Sequence, residues 1–121
     1  MKAKNKHLNA LSTLSAQHHP KTLDAQKSYA LCMLAADVKK HATVLDATKM
    51  EVAKKFQSKD PKAQPGQIDN ADVPAYLDEL KPIIESEIEI TDVKLTFDEA
   101  RGFELSSFEF ADLFEIGIIT K

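Results

Sequence analysis

Apolar residues recur along this chain with two different periods, and the change of period divides it. Leu8, Leu11 and Leu14 stand three residues apart, the spacing of one helix face. They predict a short amphipathic helix over residues 7–17. It stops at His18-His19-Pro20, because proline disfavours helical geometry in the residue before it. Thr22 is a candidate N-cap for the next helix, with Asp24 in its first turn. From there to Gln57 no Pro or Gly interrupts, and alanines from Ala25 to Ala53 supply high helix propensity. Leu31, Val38, Leu45 and Val52 recur every seven residues, with Ala35, Ala42 and Phe56 four further on and Lys49 interrupting that second row. A continuous apolar row on a charged helix needs cover, so the row predicts a seam buried against another helix. About 35 residues would span roughly 50 Å, against a width of roughly 30 Å for a domain of this length. Such a helix is expected to bend, break or project.

Pro61, Pro65, Gly66 and Pro74, with Asp60, Asp69, Asn70 and Asp72 between them, mark residues 58–74 as a linker. Ala75, Tyr76, Leu77 and Leu80 suggest a short helix, restricted at its end by Pro82. From Glu87 the period is two. Ile88 and Ile90 alternate with acids, then Val93, Leu95 and Phe97 continue with switched parity, which places a bulge or turn at Thr91-Asp92. Asp98 to Gly102 reads as a hairpin loop, with a positive φ at Gly102 and Phe103-Glu104-Leu105 as the returning strand. Ser106 and Glu109 form a capping-box pattern for a closing helix, and Gly117 is its expected stop. The expected class is α+β: an N-terminal helical hairpin with one long helix, a small antiparallel sheet over about residues 87–105, and a short C-terminal helix. One domain is expected over residues 1–121, made of a helical part (1–57), the linker (58–74) and an α/β part (75–121).

Charge sharpens this division. Residues 1–68 carry 12 Lys/Arg and 5 Asp/Glu, a net of +7; residues 69–121 carry 4 and 14, a net of −10. Opposed charge of this size predicts salt-sensitive attraction between the halves, within one chain or between copies. All but one of the 16 basic residues are Lys, and no aromatic residues alternate with them, which argues against nucleic acid as the partner. The single cysteine excludes an intrachain disulfide and fits a reducing, cytoplasmic setting. No apolar run has the length of a membrane span or the shape of a signal peptide.

No catalytic or cofactor motif is present, and a non-enzymatic role is expected. His7, His18, His19 and His41 lack the spacing that brings metal ligands together, so they are expected to be solvated or partly packed, and no metal is expected. Cys32, within Leu31-Cys32-Met33-Leu34, is expected to be a buried small hydrophobe. Glu85, Glu87 and Glu89 read as the wet side of a strand. Asp69-Asn70-Ala71-Asp72 is too short for a calcium loop and lacks its glycine. The aromatic cluster at the end is different. Phe97, Phe103, Phe108, Phe110 and Phe114 can fill a local core, yet Phe108 and Phe110 cannot share one helix face. A docking patch is therefore expected among Phe108, Phe110, Phe114, Ile118 and Ile119.

The order of parts also resembles a group of short, uncharacterised proteins encoded by tailed bacteriophages. The likeness rests on the Leu-spaced first helix, the Tyr29, Leu31, Leu34 run, the long charged helix, the Pro/Gly/Asp loop, the Leu77 to Lys81 segment, the acidic strand and the capped last helix. The Phe-rich ending departs from the aliphatic residues usual there. The resemblance implies a phage origin and a non-enzymatic role, and carries no functional residues across. A structural or adaptor protein is expected, acting by association with other protein subunits as a homo-oligomer or in a larger phage assembly. Its setting would be the infected host cytoplasm or the virion. The alternative is a small acidic inhibitor of a host defence or nucleic-acid enzyme, whose acidic half mimics a phosphate backbone.

Overall fold

The computed structural model describes all 121 residues and has the α+β architecture expected. It opens with strand β1 (Lys2–Lys4), a 3-10 turn at Asn5–His7 and helix α1 (Leu8–Ser15). Helix α2 (Ala25–Lys55) runs unbroken for 31 residues, roughly 46 Å at the usual rise. Its N-cap is Asp24, whose side chain accepts from the Lys27 amide at 2.8 Å; Thr22, the expected cap, lies just outside. Helix α3 (Val73–Ile84) follows the linker and lies against α2, with Lys55–Glu79 (2.7 Å) and the edge-on rings of Phe56 and Tyr76 between them. Next come β2 (Glu87–Glu89), β3 (Leu95–Thr96), the single turn α4 (Phe97–Ala100), α5 (Ser107–Ile116) and β4 (Ile119–Thr120).

The antiparallel sheet forms, but not as a local hairpin. β2 pairs with β1, in the register Lys2 with Glu89, Ala3 with Ile88 and Lys4 with Glu87. Alternation explains the match. Ala3 points into the core while Lys2 and Lys4 face acidic partners across the strands. Phe103-Glu104-Leu105 is not a strand. Residues 98–100 belong instead to α4, started by a capping box between Thr96 and Glu99. β3 pairs in parallel with β4, placing Leu95 opposite Ile119, both buried. Gly102 does not have a positive φ. It is needed for close approach: a Cβ there would lie 2.5 Å from Pro20 Cγ.

One core joins these elements, drawing on residues from Ala3 to Ile119. α1 contributes Leu8, Ala10, Leu11 and Leu14, and α2 contributes Leu31, Leu34, Val38 and Leu45. Ile90, Val93, Leu95, Leu113, Ile118 and Ile119 complete the opposite wall. The two ends of α5 are set by local chemistry. Ser106 and Glu109 reciprocally bond each other's backbone N–H, and Gly117 at φ 90° ends the helix.

The charge division is met in part within the chain. Lys2 pairs with Glu87, Lys4 and Lys6 with Glu85, Lys27 with Glu99 and Lys55 with Glu79. The hydrogen bond from Lys27 holds the Glu99 carboxyl below its ordinary range, and that from Lys4 does the same for Glu85. Two polar ties join the flank of α2 to the end of β2 and the segment after it. Asp37 Oδ2 accepts from the Thr91 amide (2.8 Å) and hydroxyl (2.6 Å), and His41 Nε2 lies 2.9 Å from the Glu89 carbonyl oxygen.

Candidate docking surface

Helix α2 carries two apolar faces. At 100° per residue, Leu31, Leu34, Val38, Leu45 and Val52 fall on one side, and all five are buried. The seam expected from Leu31, Val38, Leu45 and Val52 is thus the inward face, covered chiefly by α1 and, near its end, flanked by α3. The other side holds Tyr29, Met33, Ala36, Val44, Ala47 and Met50, all exposed. Tyr29 is 69% exposed, Val44 61% and Met50 64%, values large enough to exclude cover by any element of this chain. Thr43, Val44, Ala47, Thr48 and Glu51 line a shallow, largely apolar depression on this face.

The five residues expected to form a C-terminal docking patch separate. Phe108, in the first turn of α5, is 84% exposed, and Phe114 is 46% exposed. Phe110 is half-buried and packs on Phe97, with ring centroids 5.5 Å apart. Ile118 and Ile119 are core residues and cannot serve as docking groups. Leu95 N–H donates to the Ile118 carbonyl, and this pairing holds the segment where both isoleucines are buried. Cys32, expected to be buried, is exposed: it lies towards the outer side of α2, away from Leu31 and Leu34.

A second cluster was not apparent from the sequence. His7 is 4% exposed, and its Nε2 lies with carboxylate oxygens of Asp112 and Glu115 in one group within 4.8 Å, 3.6 Å from Glu115 Oε2. This is a denser setting than the partly packed one expected for the histidines. The ring's other nitrogen decides its chemistry. Nδ1 accepts the Lys4 amide N–H at 3.0 Å and so carries no proton. The proton of the neutral ring is then on Nε2, assigned from this bond, and the buried Nε2, 3.6 Å from Glu115 Oε2, makes no hydrogen bond within the chain. A metal-ligating histidine normally has the opposite arrangement, its second nitrogen donating to an oxygen. The ring is thus held from its own N-terminal segment through Nδ1, lies beside the carboxylates of α5 without bonding them, and has the wrong tautomer for a metal centre. The i, i+3 spacing of Asp112 and Glu115 was visible in the sequence; nothing there indicated that His7 would meet them.

A cleft of about 380 Å³ between the N-terminal turn, α1, α2 and the end of α3 has Leu8, Val38 and Leu45 in its wall and Lys6, Asp46 and Lys49 around it. No helix is long and apolar enough to cross a membrane. Compared with known proteins, the chain matches no family model, no curated protein and no solved structure.

Proposed function

We propose that this protein is a non-enzymatic association module, a structural or adaptor protein that works by docking on other protein subunits. The observation that carries this reading is the outer face of α2. A surface helix ordinarily presents one apolar stripe to its own core and a polar face to water. Here the inner stripe is filled, yet Tyr29, Met33, Val44 and Met50 repeat the apolar pattern on the opposite side. An exposed row of this kind, apolar on either side of Lys40 and Thr43, supports an interaction surface. The resemblance to short phage proteins supplies the setting, an assembly in the infected cell or the virion.

The inhibitor reading finds less support. A phosphate mimic needs free carboxylates arrayed on one face. Of the 14 acidic residues beyond residue 68, Glu79, Glu85, Glu87 and Glu99 are instead paired with lysines of the same chain.

The test uses the double variant Met33→Asp, Val44→Asp. Both positions are exposed, so the variant should melt like the parent. It should, however, lose the high-mass complex in which the parent sediments in extracts of the cells that naturally express it. A parent that sediments as a monomer there, as well as when pure, would refute the reading.

A further inference from the structure

The outer face of α2 has a finer pattern than a generic sticky stripe. Tyr29, Met33, Ala36, Lys40, Thr43, Ala47 and Met50 are separated alternately by four and three residues, the spacing of a coiled-coil seam. We infer that this face pairs with the same face of a second copy, the two α2 helices running antiparallel. The inference rests on the association reading above and names its partner.

Three observations select this occupant and this orientation. The first is shape. In the antiparallel register, Met33 lies level with Met50 of the second copy, Ala36 with its Ala47, and Lys40 with its Thr43. Large residues then meet at the two ends, while the alanines let the backbones approach closely. The second is charge. Lys39 and Asp46, both exposed, flank the seam on the same side. Antiparallel helices bring like-named flanks together, so each Lys39 meets the other copy's Asp46, and two ion pairs bracket the centre. A parallel pair would instead set Lys40 against Lys40 in the seam and, by bringing unlike flanks together, would part Lys39 from Asp46. The third is freedom. The helix is continuous from Ala25 to Lys55, and the inward side holds every buried residue it has. The outer side therefore docks without disturbing the fold.

Size sets the expected strength. The seam from Tyr29 to Lys54 is roughly 37 Å long, and a helix is about 10 Å wide. The strip is about 400 Å² per copy, or about 800 Å² in all, less than the roughly 1,200 Å² of stable specific interfaces and in the range of weak, transient ones. The dimer should be reversible and concentration-dependent, with dissociation in the micromolar range or weaker.

Sedimentation equilibrium of the purified chain over a wide concentration range should show mass rising from 13.4 kDa towards twice that value. Asp46→Lys should weaken the dimer by about tenfold, since two attractive pairs become repulsive. Adding Lys39→Asp to Asp46→Lys should restore it, a rescue that a merely structural effect would not give. Register is tested by oxidation in a Cys32→Ser background. Ala36→Cys with Ala47→Cys should yield disulfide-linked dimers, whereas Ala36→Cys alone should not. Efficient cross-linking by Ala36→Cys alone would overturn the antiparallel orientation. A purified dimer that cross-links with neither would move the interface off this face. A purified protein that stays monomeric at every concentration would overturn self-pairing. If Met33→Asp, Val44→Asp still abolished the native complex in that case, the association reading would stand with a different partner.

Discussion

The amide of Leu95 donates a 2.7 Å hydrogen bond to the carbonyl of Ile118, and this contact makes the last residues part of the core. Ile118 and Ile119 are 0% and 1% exposed, and β4 is the only strand that pairs with β3. Removing residues 117–121 should therefore unfold the domain rather than merely disarm a docking tail. Ile118→Ala should cost about 2–4 kcal/mol by the usual large-to-small penalty. Urea unfolding followed by circular dichroism would measure this; a truncated chain with parental stability would show that β4 is dispensable.

The two faces of α2 should respond oppositely to the same substitution. Val38→Asp puts an unpaired charge into the seam with α1 and should destabilise by about 3 kcal/mol or more. Val44→Asp, on the outer face, should stay within about 0.5 kcal/mol of the parent. Equal losses for both variants in thermal melts would mean that the inner and outer faces are misassigned.

Gly102→Ala should be destabilising by about 1–3 kcal/mol, as overpacking generally is. The added methyl would stand 2.5 Å from Pro20 Cγ and 3.3 Å from the Glu99 carbonyl oxygen, and a proline ring has little room to yield. Gly66→Ala meets no neighbour, but its φ of 85° disfavours a side chain, so its cost arises from conformation alone. A crystal structure of Gly102→Ala with Pro20 unmoved and parental stability would refute the clash.

Acid should weaken the fold. Glu85 is held below the ordinary carboxyl value of 4.5 by its bond from Lys4, Glu99 by Lys27, and Glu109 by the Thr13 hydroxyl and then the Ser106 amide. Each binds its proton more readily in the unfolded chain. Their contribution is thus complete above the ordinary value and is lost as pH falls through the lowered folded values. Melting temperatures taken downward from neutral pH should fall most steeply below about pH 4.5. Glu99→Gln, which keeps the capping geometry, should flatten that dependence. An unchanged slope in the variant would remove Glu99 from the account.

Helices α1, α2, α3 and α5 were legible because their signals are local; the single turn α4 reads in the sequence as a hairpin loop, although its Thr96–Glu99 capping box is just as local. The three-residue spacing in α1, the seven-residue row in α2 and the Ser106–Glu109 box each lie within one element. The sheet pairings were not legible. Lys2–Lys4 and Leu95–Thr96 are too short for a period to show, and their partners lie far along the chain. The alternation from Ile88 to Phe97 marked extended chain but could not say what it would pair with. Ile118 and Ile119 looked like a free tail because a two-residue strand has no signature. The outer row on α2 was visible in principle. Its four-and-three spacing is as regular as that of the inner row, but it is built from Tyr, Met and Ala rather than Leu and Val.

Because β1 pairs with β2 and β3 with β4, neither sheet is complete until distant parts of the chain coexist. As the polypeptide emerges from a ribosome, the α1–α2 hairpin can form early from neighbouring segments. β1 must wait until Glu87–Glu89 has been made, and β3 until Ile119–Thr120 follows. Closing such long loops is slow compared with forming local contacts. During that interval α1 covers the inner row of α2 only in part, because the wall of Ile90, Val93, Leu95, Ile118 and Ile119 is missing, and the outer row is open as well. Newly made chains should therefore depend on chaperones more than the finished fold's ordinary composition suggests.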